Sequence, residues 1–421
     1  MDSSNSTIAS LLEKAINDQF TPPEVMTRVV LRKVKDAGIR LSTSEKQRIR
    51  DVCKRSWRDG DFSGLNKLRI QRRRRRGKDL KVRIDEKDVD ELFRMEMRKI
   101  EAAIPNLLRQ ISLHLHPEYR EKAEIGRLAH LYEAERFQAR LSRTYRKPFD
   151  TLGRFLVACI NAGQTFLDSL AQDGELKQTP RRVALLRLHH RACRVSSEIE
   201  ALLHAGLTDG AFARWRTLHE ICVCAAFINK QGDNVARRFL RHETFDRLKL
   251  DGLAKRQANL QVTDDHDQLI ALLKSTYGAE YVADYGWCAK ALGKARVTFR
   301  DLEEATDFGH VRLHYQQSNN AVHLTSLSLI YRPSLNQITA AGDPMEWAIA
   351  SNLGLSMPAD LCAWSLLNVT LALLGAEMTA DHIVLMHLLS KIRREVAADF
   401  MRAEKRILDR EERLKAKRSA A

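Results

Sequence analysis

The segment from Ser196 to Asn229 constrains the fold most, because it reads as two consecutive helices in which charged residues precede an apolar run. Gly206 stands where a left-handed residue usually ends a helix. Thr208 and Asp209 follow it, and both are residue types that commonly cap the next helix. That second helix continues into ICVCAAFI, which must lie in a core. Charged side chains beside such a run must be paired, since an unpaired buried charge is very costly.

Similar signals for helix starts and ends recur along the chain, and the alternation of β-branched residues that is typical of strands is nearly absent. We therefore predict an all-α protein, without a sheet, in which a helical bundle domain follows a smaller basic helical region. The predicted parts are an N-terminal helical pair (1–60), an Arg-rich basic linker with charged helices (61–147), the bundle domain (148–390) and a basic C-terminal helical extension (391–421).

Local signals predict several helix ends. Thr21 and Ser42 each stand three residues before a Glu, which is the pattern of a capping box. Thr179 and Thr298 are the predicted caps of two later helices. Pro105 lies inside a helical pattern and predicts a kink or a break.

The charge of the chain is concentrated in two segments. The net charge is +16 over 421 residues, yet residues 67–83 hold ten Lys and Arg against one Asp, and residues 391–418 hold eleven against six acidic residues. The first segment contains an unbroken run, Arg72, Arg73, Arg74, Arg75 and Arg76. Like charges at adjacent positions repel, so we expect a solvated arm. It either binds the phosphates of RNA or another polyanion, or only keeps the chain soluble.

The seven cysteines are odd in number, form no C-x-x-C motif and stand beside apolar residues, so we expect free thiols in a cytoplasmic protein. The most apolar segment, residues 359–376, contains Asp360 and Asn368 and favours a buried helix over a membrane span. We expect no membrane partner and leave a homo-oligomer open.

The segment from Glu198 to Glu220, E-I-x-x-L-L-x-x-G-x-x-x-x-A-x-A-R-W-R-x-L-H-E, resembles a bacterial family of unknown function, DUF5677. A second, shorter element with Tyr315, Ser318 and His323 is similar to the same family. The resemblance extends over about residues 149–389. It implies a helical cytoplasmic domain and no established activity.

The spacing of Arg214 and His219 is also similar to the R-x4-6-H motif of HEPN-type helical ribonucleases of toxin and phage-defence systems. In that chemistry an imidazole handles the proton of the 2′-hydroxyl and an Arg holds the phosphate. Five positions on a helix are about 140° apart, so the two side chains share a face only on a distorted helix. The alternative is a buried ion network of Glu198, Arg214 and Glu220 that fixes helix packing, and Glu198 could also pair with Arg216.

Residues 318–323 resemble the related form R-N-x-x-x-H, with Asn319 and His323 in place but Ser318 where the Arg should stand. An Arg from another helix, Arg214, Arg216 or Arg312, would have to replace it; otherwise these residues form a polar contact between helices. Because polar residues on apolar helices must satisfy one another, we predict that the two helices pack together. One polar cluster is then expected, with the members Glu198, Arg214, His219, Glu220, Tyr315, Ser318 and His323.

Cofactor and metal motifs are absent from the sequence. It contains no G-x-x-x-x-G-K-[ST], G-x-G-x-x-G or G-x-S-x-G, so we expect no nucleotide cofactor. His310 and His314 have a spacing that can hold a metal, but no carboxylate is fixed beside them, and we expect no metal.

Two functions follow as hypotheses. The first is a metal-independent HEPN-like ribonuclease, with the catalytic residues drawn from Arg214, His219, Ser318, Asn319 and His323. The second is a non-enzymatic helical scaffold or ligand sensor, in which Glu198, Arg216, Glu220 and Tyr315 form a structural or ligand-binding cluster.

Overall fold

The structure is a computed structural model that describes residues 2–19, 21–60, 86–172, 178–258, 264–324, 326–329, 331–332, 337–338 and 350–419. The chain divides into two compact units, Met1–Tyr132 and Glu133–Ala421. Arg72 to Arg76 lie outside the described residues, as does most of the segment 334–344, which the sequence predicts as a loop.

The described helices of the first unit are α1 (Asp2–Gln19), α2 (Pro22–Asp36), α3 (Thr43–Asp59) and most of α4 (Glu86–Thr144). The pair α2 and α3 packs around Val30, Val34, Ile49 and Cys53. Ser42 forms the predicted capping box with its N3 residue. The box predicted at residue 21 is wrong, because that Thr side chain makes no capping hydrogen bond.

Helix α4 is continuous over 59 residues and contains Pro105 and Pro117, so of the kink or break predicted at Pro105 the break does not occur. A proline removes one helical hydrogen bond and leaves the carbonyl four residues earlier without its donor. That carbonyl belongs to Glu101, which is exposed, so water can replace the missing donor. The two units divide within this helix, between Tyr132 and Glu133.

The second unit contains the large helical bundle. Its main helices are α5 (Arg146–Gln172), α6 (Pro180–His204), α7 (Thr208–Gln231), α8 (Asp233–Gln257), α9 (Asp264–Tyr277), α13 (Ser356–Leu374) and α14 (Ala380–Ser419). Three short α-helices lie between α9 and α13, namely α10 (Gly286–Leu292), α11 (Phe299–Ala305) and α12 (Arg312–Val322). Single 3-10 turns cover Ala279–Tyr281, Gly309–Val311 and Leu327–Leu329.

Local chemistry explains several of these ends. Thr179 and Thr298 accept the capping hydrogen bonds predicted for them. Gly206 has a φ of 72°, as expected for the residue that ends α6. Helix α7 begins at Thr208, with Leu207 at the N-cap position, so the predicted capping residues lie inside the helix.

Helix α13 is the centre of the bundle and packs against α5, α6, α7 and α14. Its Ser365 accepts a 2.9 Å hydrogen bond from the Trp215 indole. Its Thr370 donates to the Leu366 carbonyl and accepts from His189 Nε2 at 3.1 Å, so a buried imidazole is tied to the central helix. Among the described helices only α13 is long and apolar enough to cross a membrane, and 72% of that stretch is buried, as the sequence predicts for a core helix.

The all-α prediction is confirmed. The only paired strands in the described part of the chain are two residues long, Tyr331–Arg332 against Gln337–Ile338, in antiparallel register. All seven cysteines are free thiols, as predicted.

Candidate functional site

Helices α7 and α12 pack directly together, which confirms the predicted pairing of the two motifs. The Tyr315 hydroxyl donates to Glu220 Oε1 at 2.6 Å and accepts from Arg216 Nε at 3.1 Å. Arg216 Nε also lies 3.3 Å from Glu220 Oε1, so one network joins the three side chains. Burial, followed by the hydrogen bond to Glu220, raises the pKa of Tyr315 well above its usual value, so the phenol keeps its proton.

The outer end of Arg216 reaches the last turn of α12. Its Nη1 donates to Asn319 Oδ1 and lies 3.2 Å from His323 Nε2. A guanidinium only donates, so His323 Nε2 accepts, and the neutral imidazole carries its proton on Nδ1. His323 follows α12 at the C-cap position and is exposed, whereas Arg216 is three-quarters buried.

These residues border an open groove of about 510 Å³. We call it the Arg216 groove, and it is lined by Leu202, Gly210, Ala213, Arg214, Arg216, Thr217, Glu220, Val322 and His323. Its charged side chains are two guanidiniums and one carboxylate, with the imidazole beside them. The groove therefore offers cations and a proton acceptor to a ligand from solvent.

Arg214 belongs to a different contact from Arg216. It forms an ion pair with Glu198 on α6 and lies 3.3 Å from the Thr217 hydroxyl. Both charged side chains are partly exposed, Glu198 by 43% and Arg214 by 30%. The predicted pairing of Glu198 with this helix is therefore confirmed, but the pair is not a buried one.

His219 lies in the core and not in the groove. Its side chain is fully buried, and Nε2 lies 2.9 Å from Glu303 Oε1 on α11, which is also fully buried. Arg312 donates to the other oxygen of Glu303. A sealed imidazole cannot take a proton from a substrate in solvent, so the catalytic role predicted for His219 is not supported, and we assign the residue to helix packing.

Aromatic rings complete the surroundings of His219. The ring centres of Trp215 and Tyr315 lie 5.2 and 5.5 Å from the centre of the imidazole. Phe299 and Trp364 lie 5.8 and 6.3 Å away. The predicted single cluster is therefore wrong in detail: the polar residues divide into the groove network, the Glu198–Arg214 pair and this buried set.

Ser318 does not take the place of the missing Arg. Its hydroxyl is buried and donates to the Tyr315 carbonyl within the same helix at 2.7 Å. Arg216 instead approaches Asn319 and His323 from α7, so the residues that match the R-N-x-x-x-H pattern have a guanidinium beside them in space. From the sequence, Arg216 was one of three arginines that could replace the missing Arg of this pattern.

Glu303 carries no sequence signal that predicts a role for it. Its neighbour Leu302 is buried and its neighbour Glu304 is exposed, as expected for a short amphipathic helix. No pattern distinguishes the buried Glu from its exposed neighbour. No group of three His, Cys, Asp or Glu side chains in the described residues could hold a metal ion. His310 Nδ1 lies at hydrogen-bond distance, 3.2 Å, from the Asp307 carbonyl.

Comparison with known proteins gives one match. Residues 182–336 match the model of a family of unknown function (DUF5677), which confirms the family resemblance over a shorter segment than 149–389. That segment contains both motifs and every residue of the groove network. No curated protein and no solved structure is significantly similar to the chain.

Proposed function

We propose that the DUF5677 segment of this protein carries a metal-independent ribonuclease site in the Arg216 groove. One observation supports the proposal above all: an exposed imidazole, His323, lies 3.2 Å from a guanidinium in an open groove. RNA cleavage through the 2′-hydroxyl can use such a pair, with the imidazole as general base and the guanidinium as the cation beside the phosphate. Arg216 supplies in space the Arg that the R-N-x-x-x-H pattern lacks at position 318.

In the proposed reaction His323 Nε2 removes the proton of an RNA 2′-hydroxyl. The 2′-oxygen then bonds to the adjacent phosphorus, the bond from phosphorus to the 5′-oxygen breaks, and the leaving oxygen takes a proton from water. The products are a 2′,3′-cyclic phosphate and a 5′-hydroxyl. As the substrate enters, the exposed His323 turns away from Arg216, which frees the lone pair on Nε2, and the held guanidinium places a positive charge beside the developing negative one.

The other residues of the network position Arg216. Glu220 and Tyr315 hold its Nε, and Asn319 holds Nη1, so the guanidinium plane is fixed from three sides. The ring of Tyr315 also lies under the guanidinium carbon, 4.7 Å from the ring centre. Such support lowers the entropy lost when the guanidinium binds a phosphate.

The test uses the full-length protein and a fluorescent single-stranded RNA in the presence of EDTA. His323→Gln should slow cleavage by a factor of about 10²–10⁴, the usual contribution of a general base. Arg216→Gln should also lose activity, while His387→Gln, a change at an exposed histidine of α14, should not. A strand with 2′-deoxyribose throughout should resist cleavage. Cleavage that survives His323→Gln, or a wild type that leaves RNA intact, would refute the proposal.

A ligand sensor without catalysis is the second candidate, and the saturation of Arg216 favours it. Four protein groups already contact this guanidinium, which suits a fixed binding site as well as a catalytic one. In that case inorganic phosphate or a nucleotide should raise the melting temperature of wild type and of His323→Gln alike, but not of Arg216→Gln.

The cellular setting forms part of the proposal. Seven free thiols suit the reducing cytoplasm, where RNA is available. The Arg run at 72–76 is proposed to add RNA affinity outside the groove, and the choice between a monomer and a homo-oligomer stays open.

A further inference from the structure

A second charged surface lies in the same unit as the groove. Six exposed cationic side chains come from the end of α4, the start of α5 and the middle of α14. They line two adjoining pockets of about 380 and 330 Å³, which share Lys147, Pro148 and Arg406. We call this surface the basic trough, and its cations are Arg143, Arg146, Lys147, Arg402, Lys405 and Arg406.

A buried carboxylate organises the trough. The Asp399 side chain is 3% exposed, yet Lys147 Nζ lies 3.0 Å from it and Arg402 also donates to it. The Thr151 hydroxyl lies 3.0 Å from the same carboxylate. Burial by itself would raise the pKa of Asp399, but the three hydrogen bonds outweigh burial and lower it, so the group stays ionised. Asp399 therefore fixes one cation on each wall of the trough.

The trough remains positive after its acids are counted. Asp150, Asp399 and Asp409 are the acidic residues that line the two pockets, against six cations. The side chains of Lys147 and Arg402 are 71% and 63% exposed, so both can reach a ligand in solvent.

Contacts place the trough and the Arg216 groove at the same end of the bundle. Phe149, next to the trough residue Pro148, stacks on His204 at the end of α6 with ring centres 3.9 Å apart. Groove residue Leu202 belongs to that same last turn of α6. The turn that follows, at Gly206, is so close to Phe137 of α4 that a Cβ there would lie 2.6 Å from its ring.

We propose that the basic trough binds the phosphate backbone of a single-stranded RNA whose scissile bond lies in the Arg216 groove. The choice of RNA as the polyanion rests on the proposed function. Two connected pockets with cations on both walls suit an extended strand better than a single small anion. Contacts to phosphates carry no sequence information, so the trough provides affinity and direction and leaves the choice of scissile bond to the groove.

The test measures binding separately from cleavage. The probe is a fluorescent single strand with 2′-O-methyl riboses, which has no 2′-hydroxyl to react, and anisotropy is followed over a series of salt concentrations. Changing Arg143, Lys405 and Arg406 together to Gln, which leaves the partners of Asp399 in place, should make the slope of log affinity against log salt less steep by about 2. The matched control changes Arg187, Arg191 and Arg194 to Gln, since these exposed arginines of α6 line neither pocket.

The outcomes separate the two proposals. The trough variant should cleave a ribodinucleotide as fast as wild type, because so short a substrate occupies only the groove. A wild type that binds the methylated strand but cleaves no RNA would refute the ribonuclease and leave the trough standing. If the trough variant and its control weaken binding equally, or if neither does, the trough is not a binding surface. Melting temperatures of both variants should match wild type, because all six positions are exposed.

Discussion

Tyr315 donates its hydroxyl to Glu220 at 2.6 Å, although the two residues are 95 positions apart in the chain. The same oxygen accepts from Arg216, so a neutral phenol links a carboxylate and a guanidinium of the neighbouring helix. Because the phenol keeps its proton, the direction of this hydrogen bond is fixed. The orientation of Arg216 toward His323 depends on that arrangement.

Tyr315→Phe should lower the free energy of unfolding by about 1–2 kcal/mol, because hydrogen bonds to two charged groups are lost at a site that water reaches only in part. Denaturant unfolding measures the change. Tyr119→Phe removes a hydroxyl from a ring that is 75% exposed and should have little effect. Equal effects of the two changes would mean that the Tyr315 network does not contribute to stability.

A double-mutant cycle should show which arginine is coupled to His323. Arg216 lies 3.2 Å from His323 Nε2, so the pair should show a coupling energy of about 0.5–1 kcal/mol, toward the lower end for an exposed contact. Arg214 is ion-paired with Glu198, so the stability effects of changing Arg214 and His323 should be nearly additive. Alanine variants and thermal unfolding suffice. Stronger coupling of Arg214 than of Arg216 would contradict the assignment of the groove network.

Because Glu303 is buried and Glu198 is partly exposed, their replacement should cost unequal amounts of folding stability. Glu303→Ala should destabilise the protein by about 3 kcal/mol, since the fully buried His219 and the adjoining Arg312 lose their carboxylate. Glu198→Ala should cost less than about 1 kcal/mol, because both members of its pair with Arg214 are partly exposed. The sequence alone suggested that Glu198 belongs to a buried ion network. Calorimetry of the two variants side by side would show the difference, and a reversed order would rule out the buried role of Glu303.

His189 should make stability depend on pH. Burial, followed by the charge of His190, lowers the pKa of His189 from 6.5 to about 4, so the folded protein holds this imidazole neutral. The unfolded chain binds a proton below about pH 6.5 and the folded chain does not until about pH 4. Its contribution to stability is therefore complete above pH 6.5 and is lost as the pH falls to 4, by at most about 3 kcal/mol.

His189→Gln should flatten that part of the stability curve, while His387→Gln at an exposed position should leave it unchanged. Unfolding midpoints measured from pH 4 to 7 in both variants provide the comparison. An unchanged slope in His189→Gln would show that other groups cause the acid sensitivity.

The Arg run at 72–76 should add to RNA affinity through charge alone. Replacing all five residues with Gln should reduce the salt slope for single-stranded RNA by about 3–4. Duplex DNA should lose affinity as well, because contacts to phosphates do not read the base or the sugar. A variant that binds as wild type does would leave the basic trough and the groove as the sites of contact.

Local signals predicted most of the fold. Ser42, Thr179 and Thr298 cap helices as expected, because a cap depends on residues within one turn of it. Pro105 does not break its helix, because a proline in an exposed helix can be tolerated when water satisfies the freed carbonyl. A sequence does not show whether that carbonyl faces solvent.

The packing of α7 against α12 could be predicted from the sequence, but the side chains that contact each other across it could not. Arg214 and Arg216 are two positions apart, which turns them by about 200° around the helix, so only one can face α12. The face that meets α12 is decided by packing of the whole bundle, and the sequence left the choice open. The same holds for His219. Its sequence neighbours are compatible with a catalytic histidine in a groove and with a histidine buried in the core.

The distance along the chain between Arg216 and His323 has a consequence for protein synthesis. The two residues are 107 positions apart, and α13, which backs α7, begins only at Ser356. A ribosome that adds 5–20 residues per second needs about 5–20 s to pass from the first residue to the second. A chain released before His323 contains Arg216 without the residue that we propose as the base. If the proposed function holds, chains released before His323 should therefore leave RNA intact.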